Sequence, residues 1–392
     1  MLDQDVIREA TRLTRAGQLI EATALIQRML RAGTPDAPSH NGGRIALAGR
    51  EPLIIDVQAN ALEQTDGHPQ PACAQPRMSP PSLDRQEGSS GFGLRGLVKR
   101  PPSTRNIVPE GARFIESTYS SPAGSRAYKL FIPSRYRERP LPLVVMLHGC
   151  TQSPADFAAG TRMNFIAEEK NCFVAYPAQS SQANGSKCWN WFRRADQQRG
   201  RGEPSLIAGI TRQIMDDYSV DRKRVYVGGL SAGAAAAAVM GATYSDLYAA
   251  IGIHSGLACG VATDLPSALI AMRQGASGRN VILGGRPVPT IVFHGDRDTT
   301  VHPDNGSQIL ERCVGAMSTK KVHRGQVPGG HAYTRTILTD ASGRGMLEHW
   351  NIHGAGHAWS GGSPAGSYTD AQGPDATREM FRFFLEHSLL DE

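Results

Sequence analysis

The stretch VYVGGLSAGAAAAAVMGA, residues 225–242, places one serine between glycines and decides the fold. Its β-branched and aromatic start predicts a buried strand, and the alanine-rich run at 234–242 predicts a helix directly after it. The pentapeptide at 229–233 follows the pattern G-x-S-x-G, whose glycines let a strand and a helix close up around a strained turn. We therefore expect Ser231 to be a nucleophile at a helix N-terminus, where backbone amides stabilise negative charge. The alternative is a packing turn with an incidental serine.

Composition limits the classes of protein to consider. The chain has 392 residues, 40% of them hydrophobic, and a net charge of +6 at pH 7, which suits one large α/β domain with an extra segment. Lysine and arginine form no dense block, so we expect no nucleic-acid partner. No apolar run reaches membrane-spanning length, and the charged residues 1–9 do not resemble a signal peptide. We therefore expect no membrane span and a cytoplasmic location, with an extracellular location as the alternative.

Three zones follow one another along the chain. Apolar residues with helical spacing predict an N-terminal helical hairpin within residues 1–32. Residues 33–107 are rich in Pro, Gly, Ser and Gln and predict a mostly disordered linker, with candidate docking points at 45–47 and 53–55. From 108 to 392, alternating strands and helices predict a mainly parallel sheet with helices on both faces. The expected strands are 127–132, 143–147, 173–176, 225–227, 249–253, 290–293 and 346–353.

A serine nucleophile needs a histidine to remove its proton and a carboxylate to orient that histidine. In this kind of fold the acid follows the serine along the chain. The strand end at 293–301, FHGDRDTTV, carries two candidates, Asp296 and Asp298. We prefer Asp298, because it lies far enough into the loop to reach a neighbouring histidine, and we expect Asp296 to bind loop backbone.

The base should follow the last strand. His357 lies in the glycine-rich loop GAGHAWSGG at 354–362, which lets its ring approach Ser231, and we predict that it is the base. His302, beside Pro303, is the alternative. His353 lies within the strand itself, so we expect a structural role for it.

Acyl transfer also needs backbone donors for the oxyanion. The amide of Ala232, directly after the nucleophile, is the first predicted donor. The loop LHGCTQ at 147–152 supplies the second, for which we choose the amide of Cys150, with Thr151 as the alternative. We expect His148 to be a structural hydrogen-bonding residue.

Together these residues carry a family resemblance. The chain from about 110 to 387 resembles an esterase of the polyhydroxybutyrate (PHB) depolymerase family, which is related to feruloyl and acetylxylan esterases. The motifs that carry it occur in the order LHGCTQ (147–152), CWNWF (188–192), GLSAG (229–233), IHSGL (253–257), HGDRDTTV (294–301) and GHAWSGG (356–362). The resemblance implies an α/β-hydrolase fold, with the nucleophile, acid and base motifs falling on Ser231, Asp298 and His357.

Aromatic residues and cysteines near the predicted site suggest further contacts. Trp359, two residues after the base, is a predicted substrate contact. Trp189 and Trp191 are further candidates to line a groove for an apolar ester chain, and a core position is the alternative reading for both. From their positions at the predicted mouth of the site, Cys188 and Cys259 are a candidate disulfide pair, although a cytoplasmic location favours free thiols.

These observations predict a serine carboxylesterase that hydrolyses polyhydroxyalkanoate, namely poly(3-hydroxybutyrate), or its oligomers through an acyl-enzyme. The same machinery suits a feruloyl or acetylxylan esterase, which is the alternative within enzymes. A granule-associated binding protein is the non-enzymatic alternative. We expect no metal and no organic cofactor, and the widely spaced cysteines predict no zinc site. The N-terminal hairpin is expected to pack on the catalytic domain, on a second copy of the chain or on a polymer granule.

Overall fold

A computed structural model of the chain describes residues 54–58, 107–275, 287–314 and 318–389. The strands are β1 (Ile54–Gln58), β2 (Arg113–Ser121), β3 (Gly124–Ile132), β4 (Leu141–Leu147), β5 (Phe173–Pro177), β6 (Val220–Leu230), β7 (Ala250–His254), β8 (Thr290–Gly295), β9 (Thr319–Gln326), β10 (Ala332–Thr339), β11 (Gly345–Ile352), β12 (Trp359–Ser360) and β13 (Thr369–Asp370). The helices are α1 (Pro154–Thr161), α2 (Met163–Lys170), α3 (Gly202–Asp217), α4 (Ala232–Thr243), α5 (Leu265–Gln274), α6 (Asp304–Val314) and α7 (Ala376–Leu385).

Eleven strands form one sheet in the order β1-β9-β10-β11-β8-β7-β6-β4-β5-β3-β2. Its centre, from β5 through β4, β6, β7 and β8 to β11, is parallel throughout. Antiparallel pairing joins β2 to β3 and β3 to β5 on one side of this centre, and β9 to β10 and β10 to β11 on the other, while β1 pairs in parallel with β9 at the edge. The predicted mainly parallel sheet is therefore confirmed for the centre, and all seven predicted strands lie within observed strands or overlap them.

Helices cover both faces of the sheet, as predicted. One face packs against α3, α4, α5 and α6, and its buried residues include Leu143, Val145 and Val227. The other face packs against α1, α2 and α7, and its buried residues include Val144 and Tyr226. Alternate residues of β4 thus point into two separate cores, which is why the central strands are apolar throughout. Such a two-sided sheet fixes the ends of its strands rigidly.

Little of the first 107 residues belongs to the described part of the chain. The predicted hairpin at 1–32 and the docking point at 45–47 lie outside it. The predicted linker contains one described strand, β1, which pairs in parallel with β9 from Ile54 opposite Lys320 to Gln58 opposite Arg324. The docking point proposed at 53–55 therefore overlaps a strand that extends the sheet. Among the described residues, no helix is long and apolar enough to cross a membrane.

Candidate active site

Ser231 lies at the turn between β6 and α4. Its backbone has φ 56° and ψ −120°, a conformation that non-glycine residues rarely adopt. A Cβ atom on Gly229 would lie 2.5 Å from the carbonyl carbon of Gly233, and a Cβ on Gly233 would lie 2.0 Å from the carbonyl oxygen of Leu147. Both glycines of the G-x-S-x-G pattern are therefore sterically required, and the strain they permit is typical of a functional residue.

The predicted acid and base are hydrogen-bonded to each other. Nδ1 of His357 donates to Oδ2 of Asp298 across 2.7 Å. The other carboxylate oxygen accepts from the amides of Thr300 and Val301, each at 2.8 Å. The side chain of Asp298 is fully buried, so its orientation is fixed from both sides.

Asp298 remains ionised in this buried setting. Burial alone raises the pKa of a carboxyl, but hydrogen bonds from His294, His357 and the amide of Val301 outweigh that effect and hold the pKa of Asp298 well below its usual range. His294 is a contact that the sequence interpretation did not identify. Its Nε2 donates to the carbonyl of Val301 at 2.9 Å and lies 3.5 Å from Oδ2 of Asp298.

The nucleophile and the base loop meet at one residue, His254, at the end of β7. The amide of Ser231 donates to the carbonyl of His254 across 2.9 Å, and the amide of Ser360 donates to its ring Nε2 across 3.0 Å. Burial, helped by the charges of His294 and His357, lowers the pKa of His254 to about 3, so its ring stays neutral and can accept that bond. His254 therefore links the residues on either side of the predicted reaction centre.

The alternative acid and base have other partners. Asp296 accepts from Nδ1 of His353 at 3.0 Å and from the amide of Gly354 at 2.7 Å. His353 also bonds Thr334 through Nε2 at 2.9 Å, in keeping with its predicted structural role. The ring of His302 accepts from the amide of Asp304, at the start of α6. The structure thus brings together Asp298 and His357, whereas the alternative acid Asp296 and the alternative base His302 bind other partners.

The loop after β4 faces the nucleophile. A Cβ on Gly149 would lie 3.7 Å from the Cβ of Ser231. The amide of Gly149 donates to the side chain of Gln152 at 2.9 Å, and the amide of Thr151 donates to the carbonyl of Ser186 at 2.7 Å. The amide of Thr151, the alternative oxyanion donor, is therefore already hydrogen-bonded within the protein. Within the described residues, no intramolecular acceptor is found for the amide of Cys150.

The first predicted oxyanion donor, Ala232, begins helix α4. Within the described part of the chain its amide also has no acceptor, as is usual for the first residues of a helix. His148 is structural, as expected. Its Nδ1 donates to the carbonyl of Gly149 at 2.8 Å, its Nε2 accepts from the amide of Gln179 at 3.0 Å, and burial lowers its pKa to about 4.

The candidate pairing of Cys188 with Cys259 is wrong, and so is the expectation that Cys188 is a free thiol. Cys188 forms a disulfide with Cys150, 38 residues earlier, with the two Cα atoms 4.2 Å apart. The bridge therefore joins the oxyanion loop to the start of the tryptophan-rich loop. Sequence position alone placed both cysteines near the site but did not show that Cys150 lies closer to Cys188.

The predicted substrate contacts of the tryptophans are not supported. Trp359 is 1% exposed, donates from Nε1 to Thr377 at 2.9 Å and packs against Phe157 and His254. Trp189 is completely buried and donates to the carbonyl of His148 at 3.1 Å. Trp191 is 7% exposed and also belongs to the core. Because protein already covers the surfaces of these three rings, they pack beneath the loops of the site and do not line a substrate groove.

The two-sided parallel sheet, the strained serine after its central strand and the hydrogen-bonded Asp298–His357 pair define an α/β-hydrolase fold. Residues 126–319 match the family model described as Esterase PHB depolymerase. This match confirms the resemblance to the PHB depolymerase family of esterases that the sequence motifs indicated. Among the described residues, no group of three or more His, Cys, Asp or Glu side chains is arranged to hold a metal ion.

Curated relatives carry related names. The chain is 35% identical to poly(3-hydroxyalkanoate) depolymerase C of Paucimonas lemoignei over 230 residues, which are 55% of this chain and 54% of that protein. It is 28% identical to the probable acetylxylan esterase A of Neosartorya fischeri over 50% of this chain and 56% of that protein. It is 27% identical to feruloyl esterase B of Thermothelomyces thermophilus over 58% of this chain and 82% of that protein. The match spans only about half the length of the first two relatives.

A solved structure shares the fold. The acetyl xylan esterase from Aspergillus awamori superimposes with a TM-score of 0.56 at 20% sequence identity, covering 70% of this chain and 99% of that chain.

Proposed function

We propose that the protein is a serine carboxylesterase. The observation that carries the proposal is the hydrogen-bonded pair of buried Asp298 and His357 on the same edge of the sheet as the strained Ser231. Ser231, Asp298 and His357 follow β6, β8 and β11, three strands of the parallel centre whose carboxyl ends share one edge. Ligands and chemistry gather at that edge in open α/β sheets.

In the proposed reaction, Ser231 attacks the ester carbonyl while Nε2 of His357 accepts its proton. Asp298 holds His357 in the tautomer with the proton on Nδ1, because the ionised carboxylate accepts that hydrogen bond. The imidazolium then protonates the leaving alcohol. Water, activated by the same histidine, hydrolyses the acyl-enzyme and releases the acid.

The negative oxygen of each tetrahedral intermediate is stabilised by the amides of Cys150 and Ala232. The amide of Ala232 is the first of helix α4, so the dipole of the helix adds to its effect. Gly149, directly before Cys150, lies beside the nucleophile, since a Cβ there would be 3.7 Å from the Cβ of Ser231.

As substrate we propose poly(3-hydroxybutyrate) or its oligomers. The support is the identity of 35% with a poly(3-hydroxyalkanoate) depolymerase, against 27% and 28% with the feruloyl and acetylxylan esterases above. Those two classes remain the alternative substrates. The non-enzymatic alternative, a granule-binding protein, does not account for the strain at Ser231 or for the Asp298–His357 hydrogen bond. A disulfide beside the site favours the extracellular alternative for location, because such bonds persist in oxidising compartments.

Ser231→Ala tests the proposal. We expect kcat for a soluble ester such as p-nitrophenyl butyrate to fall on the order of 10⁶-fold, the usual cost of removing a triad nucleophile. A fluorophosphonate should label the parent protein on Ser231 and leave the variant unlabelled. Ser205→Ala, on helix α3, is the matched control and should be labelled like the parent. Activity of Ser231→Ala within tenfold of the parent would disprove the mechanism.

A second measurement tests the substrate. The parent protein is given hydroxybutyrate oligomers, amorphous poly(3-hydroxybutyrate), methyl ferulate and acetylated xylan, and kcat/KM or the rate of acid release is measured. The proposal predicts the highest rate on the hydroxybutyrate compounds. A higher rate on ferulate or xylan acetate would move the protein to the alternative class while leaving the serine mechanism intact.

A further inference from the structure

Tyr368 lies between the two loops that carry the predicted oxyanion donor and the predicted base. Its hydroxyl is 3.2 Å from Oγ1 of Thr151, the residue after Cys150. Its carbonyl accepts from the amide of Trp359, two residues after His357, at 2.7 Å. The residue therefore contacts both sides of the reaction centre.

The ring of Tyr368 is accessible where the neighbouring aromatics are not. The large hydrophobic residues exposed in the described part of the chain are Leu265, Ile270, Tyr368 and Leu385. Tyr368 is the aromatic member of this group, with 47% of its surface exposed. Because Trp189 and Trp359 are buried, Tyr368 is the aromatic surface that this side of the site offers to a substrate.

The protein holds Tyr368 in a strained conformation. Its φ is 53°, in the left-handed region, where a bulky side chain is an outlier. Strain of this kind persists only where the surroundings impose it, and it is concentrated at functional sites.

A partly buried polar network imposes that strain through the preceding residue, Ser367. The amide of Ser367 donates to Oδ1 of Asp156 at 3.0 Å, and its hydroxyl donates to Oδ2 of the same carboxylate. The side chain of Gln152 donates to Asp156 at 3.0 Å and to the carbonyl of Ser367 at 3.1 Å, while accepting from the amide of Gly149. The loop of Tyr368 is thereby tied to the oxyanion loop.

The hydroxyl of Tyr368 is already used within the protein. Thr151 donates its own hydroxyl proton to the carbonyl of Cys150 at 2.6 Å, so the hydrogen bond between the two side chains is donated by Tyr368. A substrate therefore meets mainly the face and edge of the ring, which favour an apolar or planar group over a polar one.

We propose that Tyr368 is a specificity-determining residue whose ring contacts the hydrocarbon part of the ester adjoining the reacting carbonyl. The inference rests on the proposed function and narrows its substrate class. The Tyr368 ring selects esters with several carbons on the acyl or the alcohol side, such as hydroxyalkanoate units, over short acetyl esters of small alcohols.

The test compares ethyl acetate, ethyl hexanoate and hexyl acetate as substrates of the parent, Tyr368→Ala and Tyr368→Phe. Tyr368→Ala should lose about tenfold in kcat/KM on at least one six-carbon ester, mainly through KM, and less than threefold on ethyl acetate. Tyr368→Phe retains the ring and should retain the parent's ratio between long and short esters. Leu385 is an exposed apolar residue on α7, so Leu385→Ala is the matched control. It should leave kcat/KM for all three esters unchanged.

Equal losses of Tyr368→Ala on all three esters would overturn the inference, because they would show that the residue only anchors the loop. An unchanged chain-length preference would overturn it as well. Calorimetric binding of a methyl-capped hydroxybutyrate trimer to the Ser231→Ala protein, with and without Tyr368→Ala, separates this result from the proposed function. Weaker binding without the ring supports the inference even if the parent hydrolyses no ester, and equal binding contradicts it.

Discussion

Nδ1 of His357 lies 2.7 Å from Oδ2 of Asp298, while the neighbouring carboxylate of Asp296 lies 3.0 Å from Nδ1 of His353. Two aspartates that are two residues apart thus hold two histidines that are four residues apart. In the first pair Asp298 is fully buried and His357 is 11% exposed, whereas side-chain exposures of 34% and 41% leave Asp296 and His353 partly in solvent. The pairs therefore differ in how strongly each carboxylate can act on its histidine.

This difference predicts the effects of two matched substitutions. Asp298→Asn should lower kcat on the order of 10⁴-fold, because an amide that donates to Nδ1 favours the wrong tautomer of His357. Asp296→Asn should cost less than tenfold, since solvent screens that pair and the side chain of Asp296 bonds His353 and the amide of Gly354 rather than the base. Steady-state kinetics on one soluble ester compare the two variants, and a reversed order of losses would show that the acid is misassigned.

Much of the central fold could be predicted from sequence because its strands are buried on both faces. β4, β5 and β7 are runs of apolar residues that read as strands without knowledge of their neighbours. β2, β9 and β10 were missed because their exposed positions carry polar and charged residues, as in TKKVHRGQ of β9. Only pairing with a neighbouring strand shows these segments to be part of the sheet.

The bridge between Cys150 and Cys188 predicts a second measurable effect. Cys150 supplies a proposed oxyanion donor, and the bridge ties it to a loop whose Ser186 carbonyl also holds Thr151. Cys188→Ser should loosen the donor and lower kcat by about tenfold or more with little change in KM, because a donor to the oxyanion acts mainly in the transition state. The parent treated with dithiothreitol should show the same loss.

Cys259→Ser is the control for the bridge, because it removes a cysteine thiol and keeps the Cys150–Cys188 pair. It should retain the parent's kcat and its response to dithiothreitol. Alkylation without reduction, followed by mass spectrometry, should leave Cys150 and Cys188 unlabelled. Alkylation of both Cys150 and Cys188 would contradict the prediction. A Cys188→Ser protein that keeps more than half of the parent's kcat would contradict it as well.

Buried histidines make stability depend on pH. Burial lowers the pKa values of His148, His349 and His387 to about 4 and that of His254 to about 3. In the unfolded chain these rings titrate near 6.5, so below that pH the unfolded state binds protons that the folded state does not. Their contribution to stability is full above about pH 7 and is lost as the pH falls toward 4.

His349 offers a direct test of this pH dependence, since it lies on β11 and no catalytic role is assigned to it. The free energy of unfolding in urea should fall between pH 7 and pH 5.5 in the parent. In His349→Gln that fall should be smaller by about 1 kcal/mol, because one titrating group is removed from the unfolded chain. Each protein is compared with itself at the two pH values, so the pH-independent effect of the substitution on the free energy of unfolding cancels. An identical fall in both proteins would contradict the assignment.

The parts of the site that sequence did not reveal depend on packing between distant segments. The order of motifs indicated Ser231, Asp298 and His357, because that order is tied to the ends of particular strands. Whether Trp359 faces a substrate or the core depends on Thr377, which lies 18 residues later on α7 and accepts its indole N–H. Tyr368 likewise gains its position through Asp156, more than 200 residues earlier in the chain. No local pattern encodes such contacts.

The final prediction concerns the segment before the catalytic region. A chain that starts at Asn106 keeps Ile107, which is buried and whose carbonyl accepts from Asn164 at 2.8 Å, but it loses β1 and exposes the edge of β9. Exposed edges promote aggregation unless they carry charges. β9 carries Lys320, Lys321 and Arg324 at its paired positions, so we expect the shortened protein to stay soluble.

The shortened chain should hydrolyse a small soluble ester with kcat/KM within tenfold of the full chain, because residues 1–105 supply none of the proposed catalytic groups. Any loss should appear in adsorption to polymer particles or in self-association, measured by sedimentation. The full chain with Ile55→Pro is the matched control, since proline fixes the backbone φ of β1 away from the extended value that pairing with β9 needs and leaves the rest of the segment in place. Insolubility or a greater loss of activity in the shortened chain, but not in Ile55→Pro, would place the remainder of the segment within the catalytic fold. The same failure in both proteins would assign that role to β1 itself, because disruption of this strand is what the two changes share.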